Sequence, residues 1–531
     1  MLRKIGVLGA AVAALGLTAC GGTNTPTGMV ATSTARGTLV DNPALRVASL
    51  NAADFTAQLN QTSSGPQLLQ LAGAPTCGVD FYYFKYWTVA PDNSAQLASG
   101  ALMVPTGSAA PCTGPRPIVL YAHGSATDAA YNIADISDSS NSANSESALI
   151  ATVFAAQGYI VVAPNYLGYD ISTLGYHPYL IGAANATDMM DALAAARSAL
   201  LSTFTPTTSD SGKLYVTGYS EGGYVAMATV KAMQAAGDVV TASAPASGPY
   251  ALEAQLDAIF FGQVNIDSTV LAPLVTTGYQ KVYSNVYTQT SDLYSSTYAT
   301  GIDTLLPSTT PITTLITSGK LPETALFDSV TPKSMTGNAA LDAGADALLA
   351  EPASPPYSAS QAALFDTGFG TPYLISDTYR VGYVDDAVAN PDLAEMTLIG
   401  GGTLTASNVA PSTAATNGLR KDLTLNDMRS DWSPEEPMLM CGGDADPTVY
   451  FQNAQIMAAL WAPYVQGGLV SVLDLNGAPQ AGNPFAPLQV ALQQTEAGLV
   501  AANGPQAVAS FHTTEAPFCM VAARGFFAQV P

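Results

Sequence analysis

The sequence predicts an α/β protein: a mainly parallel central sheet with helices on both faces, interrupted by a large inserted cap. Three observations predict it. Short apolar runs without polar alternation read as strands buried on both faces. Helical stretches separate those runs, as crossover connections between parallel strands require. The alternation stops near Tyr250 and resumes only at Pro437.

Taken in order, residues 79–90 (VDFYYFKYWTVA) and 98–105 are aromatic or apolar and bounded by Gly and Pro, so they open the sheet. Strand 117–122 (PIVLYA) follows and runs into His123-Gly124. Helix 147–157 leads to strand 159–164 (YIVVAP), and the Ala-, Leu- and Met-rich stretch 183–201 is a long helix. Strand 213–218, helix 221–235 and strand 239–244 complete the first half. The second half holds strand 437–440, helix 451–460, strand 468–473 and helices 487–500 and 516–527. Residues 250–436 are far too long for a loop, since structureless connections beyond about 15 residues are uncommon. They are expected to fold as the cap, with helices at 339–349 and 361–366, leaving 51–249 and 437–531 as the sheet domain.

Composition narrows the classes. The 531 residues are 48% hydrophobic and 11% charged, which excludes a disordered chain. Seventeen basic against 40 acidic side chains give a net charge of -23, a surface that repels phosphate backbones and excludes a nucleic-acid partner.

Residues 1–19 read as an export signal: Arg3 and Lys4 precede an apolar stretch, 5–17, too short to span a membrane. Leu17-Thr18-Ala19-Cys20 resembles the lipobox of bacterial lipoprotein signals. That resemblance implies lipidation at Cys20 and a chain anchored to the cell envelope. An ordinary signal peptide with Cys20 incidental is the alternative. Residues 21–42 are small and polar, and 20–50 are expected to form a flexible tether. In an oxidising compartment the remaining cysteines are expected to pair as Cys77–Cys112 and Cys441–Cys519, each tying one end of the sheet domain to itself. Loop closure gives those bonds roughly 3.8 and 4.5 kcal/mol. Zinc is the rival, but no cysteine pair has CxxC spacing and no His falls beside one.

Gly218-Tyr219-Ser220-Glu221-Gly222-Gly223 matches G-x-S-x-G, directly after an apolar strand and opening a helix. A serine on such a turn stands at a helix N-terminus, where developing negative charge is favoured. Its hydroxyl needs a base to take its proton. The chain has three His: His123 in His123-Gly124-Ser125, His177 in His177-Pro178-Tyr179-Leu180, and His512 near the C-terminus.

With those segments and 165–170 (NYLGYD), the chain resembles secreted lipases and esterases of the α/β-hydrolase superfamily, most of all the secretory lipase group with a large cap. The resemblance covers about 77–246 and 437–531. It implies hydrolysis of carboxylic esters through an acyl-enzyme, with no metal or organic cofactor. In the order Ser…Asp/Glu…His, Ser220 is the nucleophile and only His512 fits as base. Gly443-x-x-Asp446-x-x-Val449 resembles the turn that carries the triad acid; Asp446 is chosen, with Asp444 as the alternative. The oxyanion donors are expected to be the amides of Glu221 and Ser125, while His123 is expected to be structural. His177 and Tyr219 are assigned to the substrate pocket, with a loop or core role as the alternative for His177. The substrate is expected to be a small-molecule or lipid ester. A serine peptidase or amidase on the same fold is the alternative, and a non-enzymatic binding lipoprotein is a third.

Overall fold

The structure is a computed structural model and describes residues 35–203, 207–350, 359–430 and 432–530. The signal sequence, Cys20 and the first part of the expected tether lie outside the described residues. Nine described strands are β1 (Leu45–Leu50), β2 (Gly78–Val89), β3 (Ala95–Thr106), β4 (Gly114–Ala122), β5 (Ile160–Pro164), β6 (Thr208–Tyr219), β7 (Ala242–Ala246), β8 (Met438–Gly442) and β9 (Val470–Asp474). They form one sheet in the order β1-β2-β3-β5-β4-β6-β7-β8-β9. Pairing is antiparallel from β1 to β5 and parallel from β5 through β4 to β9. Every residue of β5, β7 and β8 is buried, which is why β5 and β8 read as unbroken apolar runs. The fold is the expected α/β-hydrolase fold.

The tether reading needs correction at its C-terminal half. Arg36 pairs with Asp191 at 3.0 Å, the Gly37 amide donates to the Trp87 carbonyl at 2.8 Å, and β1 is the edge strand against β2. Helices Ala52–Leu59 and Gly65–Ala72 follow it. An edge strand needs little burial, and Leu45 is 61% exposed, so composition alone reads this stretch as solvated.

The insertion at 250–436 is built from helices and turns, including Leu252–Phe260, Ser268–Tyr283, Asp377–Ala389 and Gly418–Asn426. The expected helix Ala339–Leu349 is present, and the second lies at Ala359–Phe365. Its buried side chains are continuous with the core of the sheet. Two buried arginines tie its segments to one another. Arg420 meets Glu253 at 2.7 Å, Asp257 at 2.9 Å and Asp386 at 2.9 Å; Arg429 meets Asp392 at 2.6 Å and Asp427 at 2.7 Å. Such charges are tolerated inside only when paired and hydrogen-bonded. Both expected disulfides are present, with Cα separations of 5.4 and 5.6 Å. No described helix is long and apolar enough to cross a membrane.

Buried carboxyls give stability a definite pH dependence. Burial pushes Asp188 up to about 7, Glu496 up to about 7 and Asp422 up to about 6. It also raises Glu253 and Glu395. The folded state keeps these protons after the unfolded chain has released its own near pH 4, so this contribution to stability falls as pH rises to about 7. His123, lowered by burial, acts in the opposite sense but is a single group. The melting temperature should therefore drop by about 3–5 °C between pH 5 and pH 8 in a calorimetric scan. A rise over that interval would contradict the burial of these acids.

Candidate active site

Ser220 occupies the turn between β6 and helix Glu221–Ala236 with φ 61° and ψ -124°. A non-glycine residue in this region is strained by about 1–3 kcal/mol, and the surrounding packing must hold it there. The two glycines of the motif make the packing possible. A Cβ at Gly218 would lie 2.3 Å from the Gly222 carbonyl oxygen, and one at Gly222 would lie 2.0 Å from that of Ala122. The elbow is thus wedged against the end of β4, and Ser220 stands at the carboxyl ends of the strands, beside the reversal in strand order. Open α/β sheets bind ligands at that place.

The structure brings three of the singled-out side chains together. His512 Nε2 is 2.8 Å from Ser220 Oγ, and His512 Nδ1 is 2.6 Å from Asp446 Oδ2. Asp446 is 2% exposed, and its Oδ1 accepts from the amides of Thr448 at 2.8 Å and Val449 at 3.1 Å, which fixes the carboxylate plane. Asp444 is exposed on the same turn, with its amide donating to Asp474. The Cys441–Cys519 bond joins β8, which leads into the Asp446 turn, to the helix that bears His512. That helix is Phe511–Phe527, starting earlier than the expected 516, so His512 sits in its first turn rather than in a preceding loop. Pro517 lies inside the helix.

The His-Gly loop lies beside the nucleophile, since a Cβ on Gly124 would stand 3.9 Å from that of Ser220. Glu146, which has no motif around it, holds this loop. It accepts from the Gly124 amide at 3.0 Å and from the hydroxyls of Tyr121 at 2.7 Å and Tyr131 at 2.8 Å. Ser125 faces the cavity, its hydroxyl 2.6 Å from that of Tyr179. His123 is fully buried, stacked between Tyr131 and Tyr166 at centroid distances of 4.4 and 3.9 Å.

The assignment of His177 to the pocket is corrected. It is 2% exposed and lies behind the cavity wall, with Nδ1 2.7 Å from the Leu167 carbonyl and Nε2 2.6 Å from Glu221 Oε1. The 165–170 segment is scaffold as well: Asp170 accepts from Tyr83 at 2.6 Å and Ser99 at 2.5 Å. Glu221 therefore carries a partner on its carboxylate while its backbone opens the helix. Tyr219 does border the cavity, but its hydroxyl turns inward, reaching the His512 carbonyl and, at 2.7 Å, Glu515.

Ser220 opens into a cavity of about 1040 Å³. Its lining includes Leu256, Ile259, Phe260, Leu271, Val275 and Leu419 of the insertion and Leu68 and Leu71 of helix Gly65–Ala72. Asp446, His512 and Glu515 offer ligand-type atoms within 4.8 Å of one another, yet both His512 nitrogens already face Asp446 and Ser220. The arrangement is one that can lower the cost of taking a proton from a serine hydroxyl next to an apolar chamber.

Fold and site together define a serine hydrolase of the α/β-hydrolase superfamily. The model of the prolyl oligopeptidase family matches residues 145–270, the stretch that includes the elbow. Among solved structures the chain is similar to the rice cell wall degrading esterase LipA from Xanthomonas oryzae, at 24% identity over 94% of this chain and 100% of that one, with a TM-score of 0.65. A ligand-bound form of the same esterase aligns at 26% identity over 88% and 98% of the two chains, with a TM-score of 0.62. A structure from Legionella pneumophila aligns at 18% identity over 93% and 98%, with a TM-score of 0.60. No curated protein matches the chain.

Proposed function

We propose that the chain is a carboxylic ester hydrolase acting through an acyl-enzyme on Ser220. The observation that carries this reading is the Ser220–His512–Asp446 line, at 2.8 and 2.6 Å, opening into a chamber lined mostly by apolar side chains. His512 takes the Ser220 proton as the hydroxyl attacks the ester carbonyl, then returns it to the departing alcohol; Asp446 holds the imidazole and stabilises its charged form. The amides of Ser125 and Glu221 receive the oxyanion, with Gly124 occupied by Glu146. Water repeats the attack on the acyl-enzyme and frees the acid. The apolar side chains that the insertion contributes to the lining suit an acyl chain. We further infer export and anchoring to the cell envelope through a lipid on Cys20, a reading supported by Leu17-Thr18-Ala19-Cys20 and compatible with the two disulfides.

A second reading, a peptidase or amidase, draws on the prolyl oligopeptidase match over residues 145–270. One comparison separates the two. Purified mature protein is assayed on p-nitrophenyl esters of graded acyl length and on peptide naphthylamides. Ester hydrolysis should exceed amide hydrolysis in kcat/KM by about 100-fold or more, since the chamber is lined mostly by apolar side chains and, of its carboxyls, Glu146 and Glu221 are already engaged by the His-Gly loop and His177. Faster cleavage of the naphthylamides would overturn the ester assignment in favour of the peptidase.

A further inference from the structure

Glu515 lies three residues after His512, on the same helix face, and is 1% exposed. Its Oε1 is 2.7 Å from the Tyr219 hydroxyl and also contacts the Ser247 hydroxyl. Its Oε2 fills space left by Gly443: a Cβ there would come within 2.4 Å of it. The titratable groups facing it are Tyr219 at the end of β6, Tyr250 at the start of the insertion, Asp446 on the turn after β8, Glu496 on helix Ala486–Asn503, and His512 on its own helix.

Counting protons assigns its state. A tyrosine hydroxyl has one hydrogen to give. Tyr219 reaches the His512 carbonyl oxygen, which can only accept, so that contact takes the tyrosine proton. The remaining contact, between Tyr219 and Glu515, needs its hydrogen from Glu515. Ser247 supplies its own proton to the same oxygen. We propose that Glu515 is a positioning residue of the triad: through Tyr219 and Ser247 it clamps the His512 helix to the nucleophile elbow, and it does so as a carboxylic acid rather than a carboxylate. Burial, with Asp446 close by, pushes its carboxyl well above the usual range, in agreement with that count.

The uncharged state has a consequence for the base. A second anion beside Asp446 would stabilise the imidazolium and keep His512 protonated where it must accept a proton. A neutral acid gives the mechanical link without that charge. This proposal builds on the triad reading above, so its test uses a readout that does not need turnover. The three histidines of the chain are followed by NMR across pH 5–9 in the wild type and in Glu515→Gln, with the His512 signal identified by its loss in His512→Ala. The amide is neutral and of the same size as the acid, so the His512 midpoint should move by less than about 0.3 unit. A fall of about 1 unit or more, as removal of an adjacent anion produces, would overturn the proposal. Failure of Glu515→Gln to fold would also overturn it. Glu515→Leu, which loses the link, should lower kcat by about 10-fold or more with KM little changed, and Glu515→Gln should stay within about 3-fold of wild type. Equal kcat in all three proteins would remove the positioning role. If Ser220 proves unreactive in the wild type, the triad reading fails, while the His512 titration still decides the charge of Glu515.

Discussion

Ser220→Ala should lower kcat for ester hydrolysis by about 10⁵-fold or more, because a triad without its nucleophile retains only the catalysis of the oxyanion site and binding. The fold should survive the change. Alanine at φ 61° carries the same backbone strain as serine, and the glycines that let the elbow pack are untouched. The lost oxygen leaves His512 Nε2 facing the cavity, where water can replace it, so the melting temperature should stay within about 2 °C of wild type. Retained ester hydrolysis in a folded Ser220→Ala protein would sink the acyl-enzyme assignment.

Asp446→Asn should cost about 10⁴ in kcat, for a reason visible in its hydrogen bonds. Asp446 accepts on both oxygens, from His512 Nδ1 on one side and from the Thr448 and Val449 amides on the other. An asparagine presents an NH₂ to one of those sides. If it faces the backbone amides, donor meets donor and the loop is disturbed. If it faces His512, the imidazole must present a bare Nδ1 and carry its proton on Nε2, the wrong tautomer for a base toward Ser220. Asp444→Asn touches neither set of contacts and should change kcat by less than about 3-fold. Steady-state kinetics on the pair discriminate directly: a large loss at Asp444 with little at Asp446 would move the acid to the other position.

How much of this was legible in the sequence differs from element to element. Parallel strands such as β5 and β8 announced themselves because they are covered on both faces and leave no polar alternation. β1 did not, since an edge strand with Arg46 and Ser49 among its residues shares its composition with a linker. The elbow was readable because its glycines are demanded by backbone packing at two to three ångströms, a constraint that prints itself on the chain. His512 was readable by elimination among three histidines. Of the two readings of His177 the loop or core one agrees with the structure; the pocket one does not, because sequence order carries no record that its Nε2 reaches Glu221, 44 residues further on. Glu146 and Glu515 belong to no motif. The one available signal for Glu515 is a carboxylate three residues from His512 on a helix that is otherwise apolar on that face. Such a residue is either paired or kept neutral, and only the fold supplies Tyr219 and Ser247 to tell which.

The central claim, an activated serine at position 220, is tested most directly by covalent labelling. Mature protein is treated with a small fluorophosphonate and the modified peptide is located by mass spectrometry. The account predicts stoichiometric label on Ser220, abolished by His512→Ala and by prior denaturation. Folded protein that takes no label at Ser220, or takes it equally well without His512, would contradict it.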